Sequence, residues 1–528
     1  MRDLFQPALP IREEAVCPGQ GSEGLIPSEV FRRDPLAGSR SDLLDLRMPR
    51  SLSLICLLAG LLEALSAAPE VWPQFRGPGG QGIAVPAARP PIRFSPTENV
   101  GWSSEVPSGN SSPIVWGTNV FLTGFTEGKC LVVAMDRSTG RQRWRRELPT
   151  ATVEEVHRSL GSPASATPVT DGHRLVAYFG SLGLIALDLE GRELWRHPLP
   201  LPQTEYGSSS SPVLHRDRIY QLLDQDGASQ LVAVDVRTGK TVWTVERPEM
   251  RRGFGTPVVW ERPGVIDLVV PGTFWLIGYH PDTGEERWRV SGLSRITCTS
   301  PVLGDGLLLT SSWTTGGDRS ADRITMPPFD EVLSTRDADR DGSLTFEELP
   351  EGAAKQRFKH LDGNRNRLVE RAEWESMAAI FAKVENQSFA VAPDAEGRIS
   401  DAGVLWRFKK GLPYVATPIL YRGRFYQVKN GGLLTCLDPR TGVPLYQEER
   451  LDAPGDYYAS LVAADGRIYV TSQQGVVSVL AAGDRFHVLG RNRLGEPVHA
   501  TPVPVGEQLL VRTASKLYAF QDSKPTGR

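Results

Sequence analysis

The sequence predicts an all-β protein, an eight-bladed β-propeller that carries a small all-α insertion. Three observations predict it: a recurrent turn, a recurrent strand opening, and one interval between openings that is far longer than the others. Four short strands per unit of about 44 residues are typical of a propeller blade. The prediction divides the chain into a first propeller part at 69–317, an insert at 318–385 and a second propeller part at 386–522.

The first repeat is a turn that joins two predicted strands. Because Asp accepts hydrogen bonds from the backbone two residues on and Gly adopts positive φ, each copy predicts an antiparallel hairpin. An aromatic residue follows the turn, and we expect it to pack between neighbouring units. The clearest copies are "AMDRSTGRQRW" (134–144), "ALDLEGRELW" (186–195), "AVDVRTGKTVW" (233–243), "GYHPDTGEERW" (278–288) and "CLDPRTGVPLY" (436–446).

The second repeat is a Ser/Thr-Pro pair that opens an apolar strand. Proline fits the first residue of a strand, where it removes no ladder hydrogen bond. Six-residue copies of this opening, with Pro at the third position, start at 111, 166, 210, 255, 299, 416 and 500, and a copy without Pro starts at 459. Eight openings predict eight blades. Trp102 precedes the first opening and no outer strand follows the last, so we expect the N-terminal outer strand to complete the final blade.

The motif A-x-D-x-x-T-G-x-x-x-W is matched in full at 134–144 and 233–243. On these residues the chain resembles the pyrroloquinoline-quinone-type propellers, over about residues 72–522 apart from the interruption. The stretches "WPQFRGPGGQG" (72–82) and "LPYVATPILYRGRFYQVKNGGLLTCLDPRTG" (412–442) are similar to secreted quinone-binding-like repeat proteins. Those proteins are similar to the propeller subunit of the outer-membrane β-barrel assembly machinery.

The openings at 299 and 416 are 117 residues apart, and the surplus contains "DADRDGSLTFEE" (337–348). Every position of an EF-hand calcium loop is filled in this run, including Gly342 at the sharp turn. Calcium takes six to eight hard oxygen ligands, and this spacing wraps them round one point. The predicted ligands are Asp337, Asp339, Asp341, Ser343 through its carbonyl, Thr345 and Glu348.

A second loop, "DGNRNRLVERAE" (362–373), offers Asp362, Asn364, Asn366 and Glu373. It has fewer carboxylates, and Arg367 replaces the turn glycine, where positive φ is costly for a bulky residue. Metal binding by this loop and a purely structural pairing with the first loop both stay open. Extracellular EF-hands bind calcium at roughly 10⁻⁴ to 10⁻³ M, so the pair favours a structural staple over a switch.

The segment 48–68 predicts a signal peptide, because a positive residue, an apolar run and small residues follow one another. It is too short to span a bilayer, and no transmembrane span is predicted. Residues 1–47 show no sustained periodicity, and we interpret them as a non-native extension ahead of a start at Met48. The mature chain is expected to be exported to the periplasm or the extracellular space.

Lys and Arg number 59 and Asp and Glu number 62, so no overall charge favours nucleic acid. No catalytic residue is predicted, since the chain lacks the H-E-x-x-H, G-x-S-x-G and C-x-x-C-H motifs. The resemblance implies an alternative, a PQQ-dependent dehydrogenase of alcohols or sugars. Such enzymes typically hold the quinone beneath a disulfide between adjacent cysteines, and this chain has no Cys-Cys pair.

The sequence therefore favours a binding or scaffolding propeller, with calcium as its metal and no assigned cofactor-binding residue. A protein or cell-envelope partner is expected at the rim or channel. Residues just before the strand openings are expected to line one mouth of the channel, with ordinary blade packing as the alternative: Tyr206, Phe254, Arg295, Tyr414, Tyr457, Tyr458 and His499.

Overall fold

Eight antiparallel sheets follow one another along the chain in the computed structural model. The structure describes residues 70–158, 160–315, 325–363, 366–395 and 397–523, and within them 33 strands. The proposed extension at 1–47 and the signal peptide at 48–68 lie outside the described residues, as does Asn364. The fold confirms the prediction of an all-β, eight-bladed propeller.

Two strands precede the first blade, β1 (Val71–Trp72) and β2 (Val100–Glu105). The first four blades then run from the inner to the outer strand. Blade 1 contains β3 (Ile114–Trp116), β4 (Asn119–Thr126), β5 (Lys129–Asp136) and β6 (Gln142–Pro149). Blade 2 contains β7 (Val169–Thr170), β8 (Arg174–Phe179), β9 (Gly183–Asp188) and β10 (Glu193–His197). Blade 3 contains β11 (Val213–His215), β12 (Arg218–Leu223), β13 (Gln230–Asp235) and β14 (Thr241–Glu246), and blade 4 contains β15 (Val258–Arg262), β16 (Val265–Pro271), β17 (Trp275–Tyr279) and β18 (Glu286–Ser291).

The last four blades continue in the same order. Blade 5 contains β19 (Val302–Gly304), β20 (Leu307–Ser312), β21 (Gln387–Val391) and β22 (Val404–Phe408). Blade 6 contains β23 (Ile419–Tyr421), β24 (Arg424–Lys429), β25 (Leu433–Leu437) and β26 (Pro444–Arg450). Blade 7 contains β27 (Val462–Ala464), β28 (Arg467–Thr471), β29 (Val476–Ala481) and β30 (Val488–Arg493). Blade 8 contains β31 (Val503–Val505), β32 (Gln508–Arg512) and β33 (Lys516–Phe520).

The N-terminal strand β2 completes blade 8, as the sequence predicts. It pairs with β33 in an antiparallel ladder in which Ser103 lies opposite Tyr518. The short strand β1 pairs with β3 at the inner edge of blade 1. The two ends of the propeller therefore share one sheet, which removes the free edge that an open ring would leave.

A helical insert lies inside blade 5, between β20 and β21. Its helices are α1 (Phe329–Arg336), α2 (Ala353–Gln356), α3 (Phe358–Leu361) and α4 (Arg371–Lys383). They enclose a small apolar core around Trp374, Leu344 and Val369. No helix among the described residues is long and apolar enough to cross a membrane.

The recurrent aromatic residues join neighbouring blades. Trp144 of blade 1 donates its indole N–H to the Leu189 carbonyl of blade 2 at 2.8 Å, and its ring covers Gly191. A Cβ at Gly191 would lie 2.8 Å from that ring, and Gly191 has a positive φ of 86°. Both the close contact and the positive φ therefore require glycine at this position. Equivalent indole bonds reach Arg137, Val236, Pro281 and Pro439 from Trp102, Trp195, Trp243 and Trp406. Trp288 departs from the pattern and bonds Asp267 of its own blade.

A circle of hydrogen bonds closes round the inner strands. Each strand opening supplies one Ser or Thr, whose backbone N–H donates to the hydroxyl of the next blade's Ser or Thr. The eight bonds measure 2.9 to 3.2 Å and return from blade 8 to blade 1. The members of this hydroxyl ring are Ser112, Thr167, Ser211, Thr256, Ser300, Thr417, Ser460 and Thr501, and all are buried.

The hydroxyl ring gives a direct test of blade-to-blade bonding. Thr417→Val keeps the side-chain shape but leaves the buried Ser300 N–H without the acceptor that lies 3.1 Å away. We expect the free energy of unfolding in urea to fall by about 1–3 kcal/mol. Thr471→Val is the matched control, because the buried Thr471 hydroxyl has no hydrogen-bond partner among the described residues. Equal losses for the two variants would contradict a stabilising role for the ring.

Candidate functional site

The centre of the propeller contains a cavity of about 210 Å³. Its wall includes the hydroxyl ring, so every blade contributes one residue to it. The N-terminal segment, residues 73–84, crosses the ring on one side of these hydroxyls. It bonds Thr170 through the Pro73 carbonyl, Leu303 through the Gln81 side chain, and Ala463 through Ala84. Each of these three contact residues lies three positions after a member of the hydroxyl ring. The segment therefore covers one end of the cavity, which we call the floor, and the opposite end is the mouth of the cavity.

Arg76 anchors the floor. Its guanidinium is fully buried and donates to five backbone carbonyls at 2.8 to 3.1 Å, which include those of Thr417, Pro418 and Leu461. Burial lowers the pKa of Arg76 to about 9, so the side chain stays charged at neutral pH. Phe75, the residue before it, lines the cavity. The segment therefore joins blades 6 and 7 while placing an aromatic ring at the base of the cavity.

Aromatic rings surround the mouth. His157 stacks on Tyr206 with ring centroids 5.5 Å apart, and Phe254 meets Tyr206 edge-on at 6.0 Å. On the opposite part of the wall, Tyr458 stacks on His499 at 5.7 Å. All five rings line the cavity, together with Tyr414. Rings with a polar tip can cover an apolar group and still offer a hydrogen bond.

Burial shifts the pKa of four titratable groups on the cavity wall. Burial lowers the pKa of His499 and raises the pKa of Tyr414, while burial raises the pKa of Cys298 to about 12 and that of Tyr458 to about 12. These groups are therefore uncharged at neutral pH. Among the lining residues that the structure describes there is no Asp, Glu, Lys or Arg. The cavity thus presents hydroxyl groups, aromatic rings and a few aliphatic side chains.

Five of the seven residues expected at the mouth line the cavity: Tyr206, Phe254, Tyr414, Tyr458 and His499. Tyr457 instead packs in the core of blades 6 and 7, where its hydroxyl donates to the Ala453 carbonyl at 2.6 Å. Arg295 is not on the cavity wall, although the adjacent Ile296 is. The ring hydroxyls were missed as lining residues, although the Ser or Thr before each proline marks seven of them and Ser460 is the equivalent residue in the opening without Pro.

The two predicted loops of the insert share four equivalent hydrogen bonds. In the first loop, Asp337 accepts from the Gly342 N–H at 3.0 Å; in the second, Asp362 accepts from the Arg367 N–H at 2.9 Å. The loops also exchange two backbone bonds, Leu344 N–H to the Val369 carbonyl at 3.0 Å and the reverse at 2.8 Å. Arg367 adopts a φ of 70°, close to the 85° of Gly342, so the second loop makes the turn without glycine.

The last acidic residue closes each loop. Glu348 accepts from the N–H groups of Ala338 and Thr345 at 2.8 and 2.9 Å. These hydrogen bonds lower the pKa of Glu348, and the bond from Thr345 has the largest effect. Glu373 accepts from Gly363 and Glu370 at 2.9 and 3.0 Å in the equivalent places. Within the loops, Asp341 and Asn366 accept from the N–H groups of Ser343 and Leu368.

Oxygen atoms converge on the centre of the first loop. One carboxylate oxygen each from Asp337, Asp339 and Asp341 lies within 4.8 Å of the others. The Oδ1 atoms of Asp337 and Asp362 are buried, and neither has a hydrogen-bond partner among the described residues. A buried oxygen without a donor is unfavourable unless a cation or water fills the place. This donor set fits a hard cation such as calcium.

Comparison with known proteins supports the fold. The sequence profile of a family described as "Outer membrane protein assembly factor BamB" matches residues 92–271. No curated protein sequence matches the chain. The crystal structure of BamB from Moraxella catarrhalis is similar, with a TM-score of 0.51 and 13% identity, and the match covers 81% of this chain and 100% of that one. A europium-containing methanol dehydrogenase matches with a TM-score of 0.52 and 12% identity over 88% of this chain and 100% of that one. The chain is therefore an eight-bladed propeller that resembles this family over residues 92–271, and its structural neighbours include both BamB and a methanol dehydrogenase.

Proposed function

We propose that this protein is an exported, calcium-binding β-propeller that acts as a binding or scaffolding module. The observation that carries the proposal is the chemistry of the central cavity, which combines aromatic rings and hydroxyl groups without charged lining residues in the described part of the chain. Concave sites lined by apolar and aromatic groups with a few polar atoms are typical ligand sites. Such a wall can recognise a partner through apolar contact and hydrogen bonds.

The dehydrogenase alternative requires a place for pyrroloquinoline quinone. This cofactor carries three carboxylates and binds beside a metal ion, so its site needs cationic side chains and carboxylate ligands. The described lining of the cavity includes neither. The sequence also lacks the adjacent cysteines on which the quinone typically rests. The residues of the cavity therefore do not fit the cofactor, and we derive no redox step through it.

The partner that we propose is a protein or another component of the cell envelope. The matched family profile and one structural neighbour are named for an assembly factor of outer membrane proteins. The formal net charge of −3 gives no general attraction to nucleic acid. The signal peptide that the sequence predicts at 48–68 supports the proposal that the chain is exported to the periplasm or the extracellular space.

Calcium would bind in the first loop of the insert, and we propose that the insert is an EF-hand pair. The side chains of Asp337, Asp339, Asp341, Thr345 and Glu348 and the Ser343 carbonyl would hold the ion, which would compensate the clustered negative charge. Asp362, Asn366 and Glu373 would be the corresponding side chains of the second loop, with Asn364 outside the described residues. The ion would stabilise the turn of each occupied loop and the Leu344–Val369 contact between them.

Calcium binding by the first loop can be tested with one substitution at a predicted ligand and a control substitution at the neighbouring residue. Glu348→Gln removes the charged ligand at the end of the loop, and we expect calcium binding by calorimetry to weaken about tenfold or more. Glu347→Gln removes an adjacent carboxylate that is not a predicted ligand, and it should leave the affinity unchanged. At about 100 Kd of calcium, the wild-type insert should gain about 2.7 kcal/mol of stability. Equal calcium affinities for the two variants would contradict the assignment.

The redox alternative can be tested by titration of the mature chain, from Pro69 onward, with pyrroloquinoline quinone in saturating calcium. We expect no binding heat and no change in the visible spectrum of the quinone, because the described cavity wall lacks cations for its carboxylates. Micromolar or tighter binding would contradict the scaffold proposal. It would direct the next assays to alcohols and sugars.

The binding role can be tested by capture of partners from a cell-envelope extract. The double variant Tyr206→Ala/Tyr458→Ala removes two rings from the mouth, and we expect it to lose most of the material that the wild type retains. Leu194→Ala/Val242→Ala is the matched control, since these two apolar residues are exposed on outer strands. Retention by the mouth variant together with loss by the outer-strand variant would place binding on the outer edge instead.

A further inference from the structure

Arg295 lies beside the cavity mouth without a polar partner. Its Nε is buried and has no hydrogen-bond acceptor, and its guanidinium forms no ion pair with any residue that the structure describes. Burial lowers its pKa, and the nearby positive charges of Arg252 and Arg357 lower it further. A largely buried cation without an acceptor is unfavourable, and such a group commonly marks a site for an anion.

The position of Arg295 connects the insert with the cavity. Its guanidinium lies 5.8 Å from the centre of the Phe381 ring, on helix α4 of the insert. The next residue, Ile296, lines the cavity, as does Cys298. Arg295 also interacts electrostatically with Tyr206, one of the stacked rings at the mouth. The free charge is therefore at the edge of the aromatic wall, on the side where the insert packs.

The neighbouring Arg252 shows the contrast. It donates to Asp226 at 2.6 to 2.9 Å and to Glu205 at 2.9 Å, and its guanidinium lies 5.7 Å from the Tyr206 ring. Those two carboxylates form the ion pairs of Arg252, and the charge of Asp226 also acts on Arg295, although the two do not form an ion pair. Arg295 is therefore the arginine of this pair whose guanidinium has no hydrogen-bond acceptor among the described residues, and it can take one carboxylate of a ligand.

We propose that the mouth binds a ligand that carries one carboxylate on an apolar or aromatic body. Arg295 pairs with the carboxylate, and the body enters the aromatic cavity between Tyr206 and Tyr458. This inference rests on the proposed binding function and assigns the class of ligand. The same chemistry is found in a free carboxylic acid and in the C-terminal residue of a peptide. A guanidinium can hold a carboxylate through two parallel hydrogen bonds, which gives direction as well as attraction.

Four probes test the proposal on the mature chain in saturating calcium: 3-phenylpropionate, its amide, the peptide Gly-Ala-Phe with a free C-terminus, and the same peptide amidated. Binding is followed by calorimetry and by tryptophan fluorescence, to which Trp313 contributes, 5.5 Å from the ring of the lining residue Tyr414. We expect at least one acid to bind about tenfold or more tightly than its amide. If the peptide acid binds more tightly than 3-phenylpropionate, the ligand is the C-terminal residue of a peptide. If both acids bind, the site recognises the free carboxylate itself.

Substitutions connect that preference to Arg295. Arg295→Met should abolish the difference between acid and amide, and Arg295→Lys should keep part of it. Arg192→Met is the control, because Arg192 is an exposed arginine on the outer part of blade 2. The melting temperature of Arg295→Met should equal or exceed that of the wild type, since an unpaired buried charge is removed. A lower melting temperature would indicate a structural role and would overturn the proposal.

Two further outcomes separate this inference from the proposed function. If the amides bind as tightly as the acids, the cavity is a binding site that does not recognise the carboxylate, and only the inference fails. If none of the four probes binds, the inference also fails, and the envelope capture with the mouth variant decides the proposed function. A preference for acids that survives Arg295→Met would assign the carboxylate to another group and would contradict the role of Arg295.

Discussion

The hydroxyl ring is the interaction on which the rest of the structure depends. Each of its bonds joins the start of one inner strand to the next blade, and the circle closes between Thr501 and Ser112 at 3.0 Å. The mouth residues lie directly before these openings, so the ring fixes their spacing. Buried N–H groups without acceptors are costly, and the circle satisfies all eight at once. The cavity is therefore formed by the fold itself before any ligand arrives.

The insert imposes a second constraint on blade 5. Strands β20 and β21 pair directly, with Leu308 opposite Val391, although the whole insert separates them in sequence. Closing so long a connection costs entropy, and a connection with its own apolar core loses less of it. Asn386 and Thr314 exchange two hydrogen bonds at the base of the insert, at 2.8 and 3.0 Å. This geometry favours a structural role for the insert, which holds strands β20 and β21 of blade 5 together and supports the cavity mouth beside Phe381.

Much of the architecture could be predicted because the period of the repeats is visible in the sequence. The turn motif and the Ser/Thr-Pro openings predicted eight blades, and the lone Trp102 strand predicted the closure of blade 8. The pairing of the ring hydroxyls could not be predicted, since a repeat gives the position of a side chain and not its partner. Tyr457 and Tyr458 are adjacent in the segment before β27, yet one packs in the core and the other lines the cavity. The isolation of Arg295 depends on contacts between distant segments, which no local pattern contains.

Hydrogen–deuterium exchange, measured with calcium and with a chelator, can show whether the propeller keeps its cavity without the metal. We predict that the amides of the hydroxyl ring, such as those of Ser112 and Thr256, stay protected in both conditions because blade-to-blade bonds hold them. Protection should fall in the two insert loops, 337–348 and 362–373, when calcium is removed. Loss of protection throughout the ring on adding chelator would contradict a propeller that forms its cavity independently of the metal.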